Sequence, residues 1–144
     1  MKNTMRPIRF IRRGQLVTVR GEPAHRTLLD YLRSPASSLP GSGTKEGCAE
    51  GDCGACTVVL GEPDGSGLRY RAINACIRLL SSIDGCVLWT VQDLQQADGS
   101  LHPVQQAMLD QHATQCGFCT PGFVMSMFAI YQSRPAAAAP LTRD

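Results

Sequence analysis

The sequence lacks a long apolar run, and it lacks a strong excess of either charge. No stretch approaches the ~20 consecutive apolar residues that a helix needs to span a bilayer, so no membrane segment is expected. Lys and Arg number 14 against 12 Asp and Glu, and the formal net charge of +2 is too small to argue for a nucleic-acid partner. Part of that excess sits in the early run "RFIRR", which reads as a solvated strand face or turn. A signal-peptide apolar region is missing as well, because Gly14, Gln15 and Arg20 interrupt the stretch after the paired Arg12 and Arg13. Also missing are an internal repeat, a Ser/His/Asp arrangement, a phosphate-binding glycine motif and a carboxylate pair suited to acid–base work. His25 and His112 have no ligand-spaced partners. No catalytic residue is therefore expected in this chain. With 43% hydrophobic and 18% charged residues among 144, the composition fits one ordinary globular domain or two small ones.

What the sequence does have is cysteine. There are seven, an odd number, and they are grouped rather than spread. A secreted disulfide scaffold distributes its cysteines across loops, whereas clustered thiols without an export signal point to metal or redox chemistry in a reducing compartment. A cytoplasmic location is the expectation.

The chain divides by pattern. Two short apolar runs around "RRGQ" read as a β-hairpin, "RTLLDYLR" as a short amphipathic helix, and "SPASSLPGSGT" as a turn-rich break. "TVVLGE", "LRYRAINAC" and "CVLWTVQDL" read as strands, with Trp89 in the core. After about residue 95 the pattern becomes helical. Pro103 and Pro121 fall near two helix starts, with His102 in a helix-terminus role at the first and Thr120 as the N-cap of the second. The expected division is thus an α+β part over residues 1–95 and a helical part over residues 96–144, ending in a low-complexity "PAAAAP" stretch.

The first group is "CAEGDCGAC". Cys48, Cys53 and Cys56 follow C-x4-C-x2-C, with Cys76 as a distant fourth sulfur, which is the spacing of plant-type [2Fe–2S] ligation. Such a cluster carries a net charge of about −2 that falls to about −3 on reduction. A glycine-rich loop stabilises that charge by turning backbone N–H groups towards the sulfurs. Gly47, Gly51 and Gly54 can take the positive φ such a wrap needs, while Ala49 and Ala55 keep bulk away. Structural zinc is the competing reading, but zinc prefers paired C-x2-C knuckles and gains nothing from a three-cysteine wrap.

The second group is "QCGFCTPGF". Cys116 and Cys119 stand at a helix start, where free N–H groups favour thiolates. A thioredoxin-like dithiol would expect a βαβ context before the motif, and here a helix precedes it. Two sulfurs are half of a [2Fe–2S] site. The remaining Cys86 lies in a strand and reads as a small buried hydrophobe.

Taken together, "GTKEGCAEGDCGACTVVLGE", "RAINAC" and "QCGFCTPGFVMSM" resemble the iron–sulfur part of the molybdenum hydroxylases, a family that includes xanthine dehydrogenases, aldehyde oxidases and carbon monoxide dehydrogenases. The order and spacing of "LHPVQQAMLDQHATQCGFCTPGFVMSMFAIYQ" are most similar to the xanthine dehydrogenase type. The resemblance runs from about residue 8 to residue 131. It implies a ferredoxin-like β-grasp domain holding one [2Fe–2S] cluster on Cys48, Cys53, Cys56 and Cys76. It also implies a helical domain in which Cys116 and Cys119 are half the ligands of a second cluster, with Gln115 contacting the molybdopterin cofactor. Electrons released at a molybdenum-binding large subunit would pass through the clusters to an FAD-binding domain and then to NAD. Family members continue with a C-x-C pair that completes the second cluster. Its absence before Asp144 leads to the expectation of a fragment of a longer subunit, with an incomplete helical domain. Met108, Phe123, Met127, Phe128 and Ile130 are then expected to lack partners. A small iron–sulfur subunit of the carbon monoxide or aldehyde type, and a free-standing ferredoxin, are the rival readings.

Overall fold

The computed structural model describes residues 6–37, 42–135 and 138. Part of the turn-rich break and most of the alanine-rich end lie outside the described residues.

Strands β1 (Ile8–Arg12) and β2 (Gln15–Val19) form the expected hairpin. Arg13 and Gly14 link them with φ of 50° and 71°, the pair of positive values that a tight two-residue turn requires. Helix α1 (Leu28–Arg33) starts at Thr27, whose hydroxyl accepts from the Asp30 amide at 3.1 Å. Strands β3 (Thr57–Asp64) and β4 (Gly67–Asn74) pair antiparallel through a second tight turn, and the short β5 (Val87–Trp89) follows. The sheet order is β2-β1-β5-β3-β4, with β1 and β5 parallel and the other neighbours antiparallel. Helices α2 (Pro103–Asp110) and α3 (Thr120–Ser133) complete an α+β fold.

Both faces of the sheet are covered, and β3 serves both. Successive strand residues point to opposite faces. Val58 and Leu60 join Phe10, Leu29, Leu32 and Leu88 beneath α1, whereas Val59 faces Val124, Met125 and Phe128 of α3. Trp89 belongs to this second cluster and lies 5.9 Å from the Phe128 ring, centroid to centroid.

Several expectations need correction. Phe128 does not lack a partner: it is buried against Trp89 and His102, and Met108 and Met127 pack partly buried around the same cluster. Phe123 and Ile130 do remain exposed, at 62% and 50%. Arg12 is not on a solvated strand face. It is buried, and its guanidinium donates from Nε to Asp93 Oδ2 at 2.8 Å and from Nη2 to Asp93 Oδ1 at 3.1 Å. Thr120 is not the N-cap of α3; Cys119 holds that position, and the Thr120 hydroxyl instead meets that of Thr114 at 2.6 Å. The role expected for His102 is present: its Nδ1 accepts from the Val104 amide at 3.3 Å, while the Gln105 side chain accepts from its own amide at 3.1 Å.

Candidate metal centre

The first cysteine group sits on the loop that feeds β3. Arg33 donates to the Thr44 carbonyl at 2.9 Å, and the Lys45 amide donates to the Ala55 carbonyl at 3.3 Å, closing the loop on itself. Its far side is tied to the end of β4, where the Asn74 amide group donates to the Gly51 carbonyl at 2.5 Å. Backbone turns at Ala49, Gly51 and Gly54, with φ of 57°, 85° and 74°, curl the chain around its own sulfurs. Gly47 contributes differently from the expectation. Its φ is not positive; what matters is that a Cβ there would come within 2.8 Å of Cys53 Sγ, so the sulfur occupies the space a side chain would fill.

The curl aims N–H groups at sulfur, as a nest for negative charge does. The amides of Asp52 and Cys53 both donate to Cys48 Sγ at 3.3 Å, and the Cys48 amide donates to Cys53 Sγ at 3.4 Å. Hydrogen bonds from the amides of Cys53, Glu50 and Asp52 lower the Cys48 pKa to about 6. Cys76 responds in the opposite sense: burial first, then the neighbouring Cys56 thiol, raises it to about 11. Cys53 is thus a neighbour of Cys48, and Cys76 has Cys56 as its nearer and Cys48 as its farther neighbour. Cys53 is exposed, and Cys56 and Cys76 are buried. Among the described residues no group of three or more His, Cys, Asp or Glu side chains is already arranged to hold a metal ion. Donor set, inward amides and glycine-made space together suit two adjoining metal ions with a negative charge to be stabilised.

The second pair precedes α3, with Cys119 at its N-cap position. Gly117, with φ of 82°, turns the chain between Cys116 and Cys119, both exposed. With Gln115, His112 and Phe123 they line an open depression of about 370 Å³. The structure docks this segment directly on the first loop. A Cβ on Gly122 would collide with the Gly54 carbonyl oxygen, and the Phe118 ring packs over Gly47. Neither contact is visible in the cysteine spacing; the glycine at 122 and the aromatic inside a C-x-x-C were the available signals. Cys86 is buried in the core cluster beneath α1, and its pKa is raised chiefly by that burial.

Two family models match the chain. One, a 2Fe-2S iron–sulfur cluster binding domain, covers residues 10–80, and the other, a [2Fe-2S] binding domain, covers residues 90–143. They define an iron–sulfur protein of the electron-transfer class. Its relatives narrow the class further. Xanthine dehydrogenase of Drosophila pseudoobscura pseudoobscura is 44% identical over 94% of this chain, and aldehyde oxidase 1 of Rattus norvegicus is 41% identical over 88%. The chain spans about a tenth of the length of these curated relatives, 10% and 9%. Among solved structures, quinoline 2-oxidoreductase of Pseudomonas putida 86 superposes with a TM-score of 0.70 and 31% identity, covering 92% of this chain and 74% of that one. The aldehyde oxidoreductase of Desulfovibrio desulfuricans gives 0.71 and 34%, covering 89% of this chain and 13% of that one. The chain belongs to the iron–sulfur part of the molybdenum hydroxylase family.

Proposed function

We propose that Cys48, Cys53, Cys56 and Cys76 ligate one [2Fe–2S] cluster in a β-grasp domain spanning residues 1–95, and that Cys116 and Cys119 supply half the ligands of a second in a helical domain spanning residues 96–144. The observation that carries this is the loop whose backbone amides donate to the Cys48 and Cys53 sulfurs, with Cys56 and Cys76 buried next to them. A binuclear cluster needs two thiolates at each iron, whereas a structural zinc ion needs four around one point. What a bound cluster of this kind supplies is uptake and release of one electron with no bond made or broken. The chain's own residues do the rest. The loop amides hold charge at the Cys48 and Cys53 sulfurs, burial excludes water from Cys56 and Cys76, and α3 sets the second site beside the first.

The role is electron relay within an oxidoreductase, from a molybdenum centre in a large subunit towards FAD and NAD. Gln115, exposed next to Cys116, is the residue we assign to contact the molybdopterin. Hypoxanthine or xanthine is the substrate class favoured by the 44% identity to a xanthine dehydrogenase. A second reading, a separate small subunit of an aldehyde- or heteroarene-oxidising enzyme, is favoured by the 74% coverage of the quinoline 2-oxidoreductase chain.

Anaerobic loading of the chain with iron and sulfide tests the ligand set. Cys76→Ala is expected to abolish the first EPR signal and remove two irons, while Cys86→Ala keeps both. Retention of that signal in Cys76→Ala refutes the assignment. Reduction of the assembled enzyme by a purine but not by an aldehyde separates the two substrate readings.

A further inference from the structure

We propose that Phe118, carried between the two cysteines of the second pair, is a positioning residue for the first site: its ring lies beside the Cys53 sulfur, limits the water that reaches it and so lowers that site's reduction potential. The inference rests on the reading of Cys48, Cys53, Cys56 and Cys76 as ligands of a [2Fe–2S] cluster.

Three observations converge on the ring. It packs over Gly47, with Cε1 3.6 Å from where a Cβ on that residue would stand, and the Cys53 sulfur lies 2.8 Å from the same point. The ring and the sulfur therefore flank one glycine. Second, the sulfur next to the ring belongs to the most open of the four cysteines: Cys53 is exposed and Cys48 intermediate, whereas Cys56 and Cys76 are buried. Third, Phe118 belongs to neither hydrophobic cluster and is itself 46% exposed, so packing of the core does not account for it. Its position is nonetheless fixed. The turn at Gly117 projects it, and the close approach of Gly122 to the Gly54 carbonyl holds the start of α3 against the loop.

The electrostatic consequence has a definite sign. One electron taken from an external reductant adds one negative charge to the site and changes no bond. Water stabilises the more highly charged reduced form, so an apolar ring that excludes water makes reduction harder. Removing the ring admits water and raises the potential.

The test is EPR-monitored redox potentiometry on the full chain loaded anaerobically with iron and sulfide, with dithionite as reductant. Phe118→Ala is expected to increase the reduced-to-oxidised ratio of the first site about tenfold at fixed ambient potential, which is ~59 mV for a one-electron couple. Phe118→Leu, which restores an apolar cover, is expected to shift the ratio less than about threefold. Ile130→Ala, which removes a similarly exposed apolar side chain from α3, should leave it unchanged. A Phe118→Ala ratio within twofold of wild type overturns the proposal, as does an equal shift in Phe118→Leu or Ile130→Ala. Failure of the underlying ligand reading looks different: iron and sulfide then survive Cys76→Ala, before any potential is measured.

Discussion

Replacing Asp93 with Asn tests whether a buried ion pair fastens the amino-terminal hairpin to the segment that leads into the helical part. The Asp93 side chain is 0% exposed and that of Arg12 only 4%. Asp93 Oδ2 accepts from Arg12 Nε at 2.8 Å, from the Thr90 amide at 2.8 Å and from the Thr90 hydroxyl at 2.9 Å. Oδ1 accepts from Arg12 Nη2 at 3.1 Å and from Arg13 Nε at 2.7 Å. Asp93→Asn leaves the Arg12 charge buried without its counter-charge, a loss on the order of 3–5 kcal/mol. At ~2–4 °C per kcal/mol for a chain of this size, the melting temperature should fall by roughly 6–20 °C. The single Trp89, one residue before Thr90, reports urea unfolding by fluorescence under reducing conditions. Arg12→Met in the Asp93→Asn background should recover most of the loss, because removing both charges removes the unpaired one. Arg13→Ala should cost no more than ~1 kcal/mol, since that side chain is 44% exposed and its pair is screened. The pH dependence has a fixed sign. Burial alone would raise the Asp93 pKa, but the Arg12 guanidinium, the Thr90 amide and Arg13 outweigh it and hold it below the ordinary carboxylate value. The contribution is therefore fully present above the unfolded carboxylate pKa of about 3.9 and is lost as pH falls through the folded value. An Asp93→Asn protein within ~1 kcal/mol of wild type at neutral pH, with no recovery from Arg12→Met, refutes the reasoning.

Two further outcomes follow from backbone contacts and caps. Gly122→Ala places a methyl group against the Gly54 carbonyl, so α3 must lift from the loop; despite the better helix propensity of Ala, thermal melting should show a loss of about 1–3 kcal/mol rather than a gain. His102 has its pKa lowered by burial, so the unfolded chain binds the proton more readily and stability falls as pH drops below about 6.5. Protonation also takes away the lone pair that accepts from Val104, and His102→Asn, a cap that does not titrate, should flatten the pH 7 to 5 portion of the stability curve.

The candidate site was legible because its chemistry is local. Three of the four sulfurs stand within nine residues, and the amides that serve Cys48 come from Asp52 and Cys53, so spacing alone located the nest. The hairpin was legible for the same reason, since its turn residues carry the conformational requirement themselves. What escaped the sequence reading depends on distance along the chain. Arg12 and Asp93 are 81 residues apart, and nothing near either one distinguishes a buried pair from two solvated charges. Phe128 looked unpartnered because its helix was read alone, whereas its partners come from β3, β5 and the residue before α2. The role of Gly47 was misassigned because a glycine kept for space and one kept for positive φ are written with the same letter.

The shared strand explains how two sites on separate parts of the chain can hold one relative position. Cys56 is the residue before β3, so the first loop ends directly in that strand. Helix α3 lays Val124, Met125 and Phe128 on Val59 of the same strand, and its first turn meets the loop through Gly122 and Gly54. Both cysteine groups are thereby referenced to β3, whose first five residues are buried. Close-packed interiors resist small displacements, and a site built on regular elements keeps its geometry better than one built on a free loop. An electron relay needs this property more than it needs any catalytic side chain, because its centres must stay at a constant separation while the charge on each changes. Across the change of pattern near residue 95, β3 and β5 form much of the surface on which α3 rests.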